Sequence, residues 1–299
     1  MNDLKLFNLT IPQKAIFLSE QYSSGTNLNS IGGNIIIEEK VDLDLLEKAL
    51  NIFVKNNDAL RIRIHMEDSI PMQYIVPYEP FYLKRVFLKD KQDLDKLTSE
   101  TVACPFNFFD SSLFNFTLFK FEDGTGGLTL SFHHIISDAW SISLFVDGII
   151  KIYSNLLNNT TINENENNSY LDFVKSEQDY FNTSRFKKDK EFWNSFFSSE
   201  PEHIIISNKK EKNITTTAKR KSFLLDKELY KKITSLCKEA NCSLFTFFMA
   251  IYSLYLARIN NSNFSTIGTP ILNRTNVKEK STCGIFTGTQ PFCLNIDYN

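Results

Sequence analysis

Histidine is scarce in this sequence, with four residues in 299, and tryptophan scarcer still, with two. The five cysteines, Cys104, Cys237, Cys242, Cys283 and Cys293, form no Cys-x-x-Cys pair. An odd, scattered set of this kind suits reduced thiols of a cytoplasmic protein, each a small buried hydrophobe. No Gly-x-Ser-x-Gly occurs, so the sharp turn that presents a hydrolase serine is absent. No run of Lys and Arg interleaves with aromatic residues, which argues against a nucleic-acid partner. The longest apolar stretch, Ser243 to Ile259, is interrupted by Thr246, Ser253, Tyr252 and Tyr255. It is short for a membrane span and reads as a buried helix. Asp3 and Lys5 stand at the N-terminus with no apolar run before a small-residue cleavage site, so no signal peptide is read there. Asn-x-Ser/Thr triplets in a cytoplasmic chain carry no information on glycosylation.

What is abundant is phenylalanine, 27 residues, many at alternating or helical spacing, which points to core filling. The hydrophobic share is 42% and the charged share 23%, and 33 basic residues nearly balance 35 acidic ones. These are values of a globular protein long enough for two domains or one large one.

The chain opens in the order strand, helix, strand. Gly33 to Glu38 is a β-branched run. Val41, Leu45, Leu46, Leu50, Phe53 and Val54 follow at helical spacing, with Asp42 as N-cap, and Leu60 to His65 alternates as a half-buried strand does. Leu113–Phe121 and Leu128–Phe132 read as strands of a hairpin, joined through the glycine-rich Glu122–Gly127. The second strand runs into His133-His-Ile-Ile-Ser-Asp-Ala-Trp-Ser141. A helix is expected next, with Ile142, Phe145, Val146, Ile149, Ile150, Tyr153 and Leu156 on one face and Ser141 as its cap. Asn158–Ser169 has the composition of a linker. Beyond it the pattern predicts one helical stretch from Tyr170 to about Phe197, a polar gap at Ser207–Thr217 and a strand at Lys221–Leu225. An amphipathic helix at Lys227–Glu239, the apolar helix opened by Ser243 and a strand at Thr266–Ile271 complete the expectation.

Three chemistries compete at the histidine pair. Successive strand side chains face opposite ways, so His133 and His134 should not converge on one metal ion, and no cysteine pair or further histidine stands nearby. A nucleophilic triad lacks its signature. A lone histidine acting as general base, with Asp138 ordering the loop, needs no protein nucleophile. Taken alone, His-x-x-x-Asp fits this reading and a satisfied core histidine equally well.

The segment Phe132–Ser141 resembles the HHxxxDG signature of the condensation domains of nonribosomal peptide synthetases. Ile11-Pro-Gln13, Leu60-Arg-Ile-Arg63 and Pro105-Phe106 resemble earlier motifs of that family. Tyr170-Leu-Asp172, Phe192-Trp193, Ile267-Gly-Thr-Pro-Ile-Leu-Asn-Arg274 and Gly284-Ile-Phe-Thr-Gly-Thr-Gln290 resemble later ones, in the family's order. The sequence departs from the pattern at Ala139, where the family has glycine, and at Thr287-Gly288, where it usually has Val-Asn.

The resemblance implies an α/β, chloramphenicol acetyltransferase-like two-lobed sandwich. Residues 1–168 would form a complete N-terminal lobe, and 169–299 connecting helices and part of a C-terminal lobe. It implies an acyltransferase that forms an amide from a carrier-tethered acyl or peptidyl donor and an aminoacyl acceptor. His134 would be the catalytic group. His133 would hold the loop, and Asp138 would pair with Arg61. Ala139 and Trp140 would complete the motif, Trp140 as core packing. Gly284, Thr289 and Gln290 would lie along the substrate tunnel. No metal or bound cofactor is implied, since substrates arrive on the phosphopantetheine arms of donor and acceptor carrier proteins, and further synthetase domains would neighbour it in the assembly. The rivals are an ester-forming or CoA-dependent acyltransferase of the same fold, and a degenerate module that docks a carrier protein without chemistry.

Overall fold

A glycine-rich turn and alternating apolar residues build the central hairpin of the chain. The structure is a computed structural model that describes residues 5–161, 168–198, 204, 206 and 221–296. In order come β1 (Phe7–Asn8), α1 (Ile11–Tyr22), β2 (Ser30–Ile37), α2 (Leu43–Asn56), β3 (Ile62–Glu67), β4 (Ile70–Ile75) and β5 (Lys84–Leu88). They are followed by α3 (Lys91–Ala103), β6 (Phe114–Phe121), β7 (Gly126–His133), α4 (Ala139–Leu157), α5 (Tyr170–Tyr180) and α6 (Ser184–Phe196). The last are α7 (Lys227–Glu239), α8 (Leu244–Asn260), β8 (Phe264–Ile271), α9 (Val277–Lys280) and β9 (Gly288–Asn295).

The chain divides into two units. One comprises Met1–Phe186 with Leu272–Gly288, the other Lys187–Ile271 with Thr289–Asn299. The boundary therefore falls beyond the expected residue 168, and a late segment returns to the first unit. A local reading cannot foresee that return, because what brings the segment back is a partner far upstream in sequence.

In the first unit a four-stranded sheet has the order β2-β7-β6-β5, with only β5 and β6 parallel. All eight residues of β7 are buried, as a central strand requires. Leu128, Leu130 and Phe132 join α2 and α4 in the main core, where Phe145 meets Phe53, Phe116 and Phe132 with ring centres 5.1–5.4 Å apart. The two helices approach closely because Gly148 has no side chain; a Cβ there would sit 2.3 Å from the Phe53 ring. Leu94 and Leu97 of α3 form a smaller core with Leu88 and Phe119. A second, three-stranded sheet has the order β1-β4-β3.

Most expected elements are present, with five differences. Asp138, not Ser141, caps α4, accepting the Ser141 N–H at 2.8 Å. The stretch from Tyr170 breaks at Asn182-Thr183, where the Thr183 hydroxyl donates to the Tyr180 carbonyl and accepts the Phe186 N–H; such local bonds compete with helix continuation. Residues Lys221–Leu225 form no strand. Cys237 and Cys283 are buried, but Cys104 is exposed. Helix α8 forms, yet only Ser253, Leu256 and Ala257 are buried, while Phe245, Ile251 and Tyr255 are about half exposed. The expected linker at Asn158–Ser169 lies partly, and the polar gap at Ser207–Thr217 wholly, outside the described residues. Among the described residues no single helix is long and apolar enough to cross a membrane.

Candidate active site

The exit of β7 carries the histidine pair. His133 is the last residue of the strand, in register with Ser30 of β2, and a 3-10 turn takes over at His134–Ile136. The side chain of His133 is buried between Phe106 and Phe108, with ring centres 5.9 and 4.9 Å away. Its Nδ1 accepts the Ile135 N–H at 3.1 Å, so the ring proton sits on Nε2, 3.2 Å from Glu20 Oε2. Burial lowers the titration of this imidazole below its usual range, and Glu20 opposes that only in part. His133 is thus a neutral ring with both nitrogens occupied.

His134 is half-buried. Its backbone N–H donates to the Asn29 carbonyl at 2.7 Å, and its Nδ1 lies 2.8 Å from the Ser137 carbonyl. A carbonyl can only accept, so Nδ1 carries a proton, and in the neutral form of the ring it is Nε2 that presents a lone pair. One ring of the pair has its tautomer set by a donor, the other by an acceptor. Among the described residues no group of three or more His, Cys, Asp or Glu is arranged to hold a metal ion. His65, on β3, belongs to a separate cluster with Asp110 at 3.0 Å and Glu67 at 3.5 Å.

Asp138 does not pair with Arg61. The guanidinium of Arg61 donates to the carbonyls of Val76 and Lys55, pinning the turn before β3. The partner is Arg274, whose NH2 group lies 3.1 and 3.3 Å from the two oxygens of Asp138. Both side chains are almost wholly buried. The carboxylate also accepts from the N–H groups of Ser141, Phe286 and Thr287 and from the Thr287 hydroxyl, at 2.8–3.2 Å. Arg274 in turn donates to the carbonyls of Glu279, Thr282 and Gly284 and to the Ser141 hydroxyl, and stacks 3.9 Å over the Phe286 ring. Burial alone would push the Asp138 carboxyl up, but Arg274 and the donors from Phe286 and Ser141 together hold it below the usual carboxylate range.

That sign sets a pH dependence. A carboxyl depressed on folding contributes stability in full above its unfolded value near 3.9, and the contribution is lost as pH falls through the lower folded value. Asp138→Asn, with nothing to titrate, should flatten the acid limb of the urea midpoint below about pH 4. Parallel acid limbs for the two proteins would contradict the assignment.

Gly284 closes the same assembly. Its N–H donates to the Ser141 hydroxyl, which donates back to its carbonyl. At φ 140° it lies in the region that favours glycine, and a Cβ would sit 2.2 Å from the ring of buried Tyr170. Gly284 is thus a packing position, its space taken by Tyr170. Gly284→Ala should lower stability by roughly 2–4 kcal/mol, from overpacking and backbone strain together. Chemical denaturation checks this, and a loss under about 0.5 kcal/mol would refute it. Tyr170 itself donates to the Ile285 carbonyl at 2.7 Å, and burial pushes its phenol upward.

The remaining motif residues sort by contact. Ala139 is exposed at the first position of α4 and has no positive φ, so the methyl that replaces the family's glycine strains nothing in the backbone. Trp140 is not core: it is 38% exposed, and its indole N–H donates to the Lys280 carbonyl at 2.8 Å. Gln13 completes a capping box with Thr10 and exchanges amide bonds with Gln73 at 2.8 Å. Thr289 and Gln290 are exposed on β9, in the second unit apart from Gly284.

Comparison with known proteins identifies the family. The family model for the condensation domain matches residues 5–299. The chain belongs to the condensation-domain family. This condensation domain is 31% identical over 302 residues to surfactin synthase subunit 1 of Bacillus subtilis, covering 99% of the chain and 8% of that protein. It is 23% identical over 292 residues to bacitracin synthase 3 of Bacillus licheniformis, covering 97% of the chain and 4% of the relative. The chain thus spans less than a tenth of the length of these curated relatives. Among solved structures it resembles the first condensation domain of the calcium-dependent antibiotic synthetase, with a TM-score of 0.83, 19% identity and coverage of 98% of this chain and 70% of that one. The starter condensation domain of rhizomide synthetase gives 0.77 at 18% identity, over 98% and 68%. The fold is that of the condensation domains.

Two features escaped sequence reasoning. Arg274 was visible only as the end of a late motif, with nothing in its neighbourhood to name its partner. Glu20 had a usable signal: Gln13, Phe17 and Glu20 share one buried stripe of α1, so two polar residues face the core.

Proposed function

We propose that this domain catalyses amide formation between an acyl or peptidyl donor thioester and the α-amine of an aminoacyl acceptor. Both would be carried on phosphopantetheine arms of carrier proteins, as the family membership suggests. One observation carries the reading: the Ser137 carbonyl holds the His134 proton on Nδ1, which leaves Nε2 free to accept. As the amine nitrogen attacks the thioester carbon, the C–N bond forms and the amine proton passes to Nε2. The tetrahedral intermediate then collapses, the C–S bond breaks, and the departing thiolate takes the proton from His134. Atoms and charge balance with no protein nucleophile and no metal in the scheme.

Asp138 has no part in that transfer. Its oxygens are occupied by Arg274 and by backbone and hydroxyl donors, so it shapes the loop that presents His134. The proposal is tested by incubating the protein with a loaded donor carrier and an aminoacyl acceptor carrier and weighing the acceptor arm by mass spectrometry. Appearance of the donor mass on the acceptor supports it. A folded protein that binds both carriers and yields no condensed product across acyl and aminoacyl classes contradicts it.

A further inference from the structure

We infer that Glu20 is a positioning residue for His134, acting through the two residues that hold the catalytic ring's backbone. The inference rests on the role proposed for His134. One oxygen of Glu20, Oε2, lies 3.2 Å from His133 Nε2 and 2.7 Å from Asn29 Nδ2. Because the Ile135 N–H occupies His133 Nδ1, the Nε2 proton of that ring has Glu20 as its acceptor. The other end of the Asn29 amide accepts the Ser19 hydroxyl at 3.1 Å, so the side chain of Asn29 is gripped from both ends. Its backbone carbonyl, in turn, takes the His134 N–H at 2.7 Å.

A single carboxylate oxygen therefore ties the ring that precedes His134 to the residue whose carbonyl anchors His134 itself. Glu20, Asn29 and His133 are each less than a tenth exposed, so water does not substitute for a lost partner there. Among the described residues the one side-chain bond of His134 runs from Nδ1 to the Ser137 carbonyl, three residues on. That bond can select one tautomer only while the backbone at His134 stays in place. Glu20 supplies the fixed point on the β2 side of the turn.

The test reads the ring directly. With four histidines in the chain, two-bond proton–nitrogen spectra of 15N-histidine-labelled protein at about pH 8, where an ordinary imidazole is neutral, resolve each tautomer. His134 is assigned by its loss in His134→Ala. In the unaltered protein His134 should be a single Nδ1–H form and His133 a single Nε2–H form. Glu20→Ala should convert His134 to an exchange average of both tautomers. Glu20→Gln, whose side-chain oxygen can accept the same two protons, should restore the single form. In the amide assay Glu20→Ala should lower kcat by roughly 10–100-fold, the cost of a misplaced group, with KM unchanged. If alanine at 20 prevents folding, Asn29→Ala carries the test, since it cuts the link from Glu20 and keeps the His133 bond. A His134 that stays wholly Nδ1–H in the folded alanine variants, or averaging that glutamine does not reverse, overturns the inference. The spectra decide this even if His134→Ala leaves amide formation intact, an outcome that would sink the catalytic reading alone.

Discussion

Replacing His134 with alanine should reduce amide formation roughly 10²–10⁴-fold, the range for removal of a positioned general base. The loss should fall on kcat, with KM little changed, because in the proposed reaction Nε2 takes up a proton only as the C–N bond forms. Stability should change by about 1 kcal/mol, since the half-buried ring gives up one hydrogen bond to the Ser137 carbonyl. The contrast with His133 sharpens the expectation. That ring is enclosed by Phe106 and Phe108 and bonded to Glu20, so His133→Ala should act through stability. Kinetics with loaded carriers and urea denaturation of the same preparations separate the two effects. A His134→Ala enzyme that keeps more than about a tenth of the activity would reduce His134 to a spectator.

The second large effect belongs to the buried ion pair. Arg274→Met should destabilise the protein by roughly 3–5 kcal/mol, because it leaves the Asp138 carboxylate buried without its countercharge. Backbone donors from Ser141, Phe286 and Thr287 remain, and they soften the loss without cancelling it. In an Asp138→Asn background the same Arg274→Met change should cost at least about 1 kcal/mol less, since no charge is stranded. Arg61→Met provides the control. It removes bonds to the Val76 and Lys55 carbonyls and should show no coupling to Asp138. Urea midpoints of the single and double variants give the coupling. An Arg274→Met cost below about 1 kcal/mol, or coupling of Asp138 to Arg61 instead, would overturn the pairing.

How much of this could be read in advance follows from the range of each interaction. The hairpin β6–β7, the Asp42 cap of α2 and the helix Lys227–Glu239 rest on period, turn chemistry and capping, which are local, and all were legible. Strand alternation predicts divergent rings at His133 and His134, but His134 opens a 3-10 turn, so alternation reaches only as far as His133. The identity of the cation facing Asp138 was not legible, because Arg61 and Arg274 are alike in residue type and only the folded path of Leu272–Gly288 chooses between them. The break at Thr183 was lost inside an otherwise helical pattern. Helix α8 was misjudged because its sequence is apolar on all sides, which normally signals burial.

The return of Leu272–Gly288 to the first unit has a temporal consequence for a chain made from its N-terminus. Asp138 and Arg274 are 136 residues apart. At about 5–20 residues per second, the ribosome delivers the guanidinium on the order of ten seconds after the carboxylate. Until then Asp138 has no countercharge, Ser141 lacks Gly284, and Tyr170 lacks the Ile285 carbonyl that its hydroxyl will bond. The whole second-unit segment Lys187–Ile271 must emerge in the interval. The loop bearing His134 is therefore completed only after Lys187–Ile271 has emerged, and a nascent chain stalled before residue 272 would hold a histidine pair on a hairpin whose supporting loop has not yet closed.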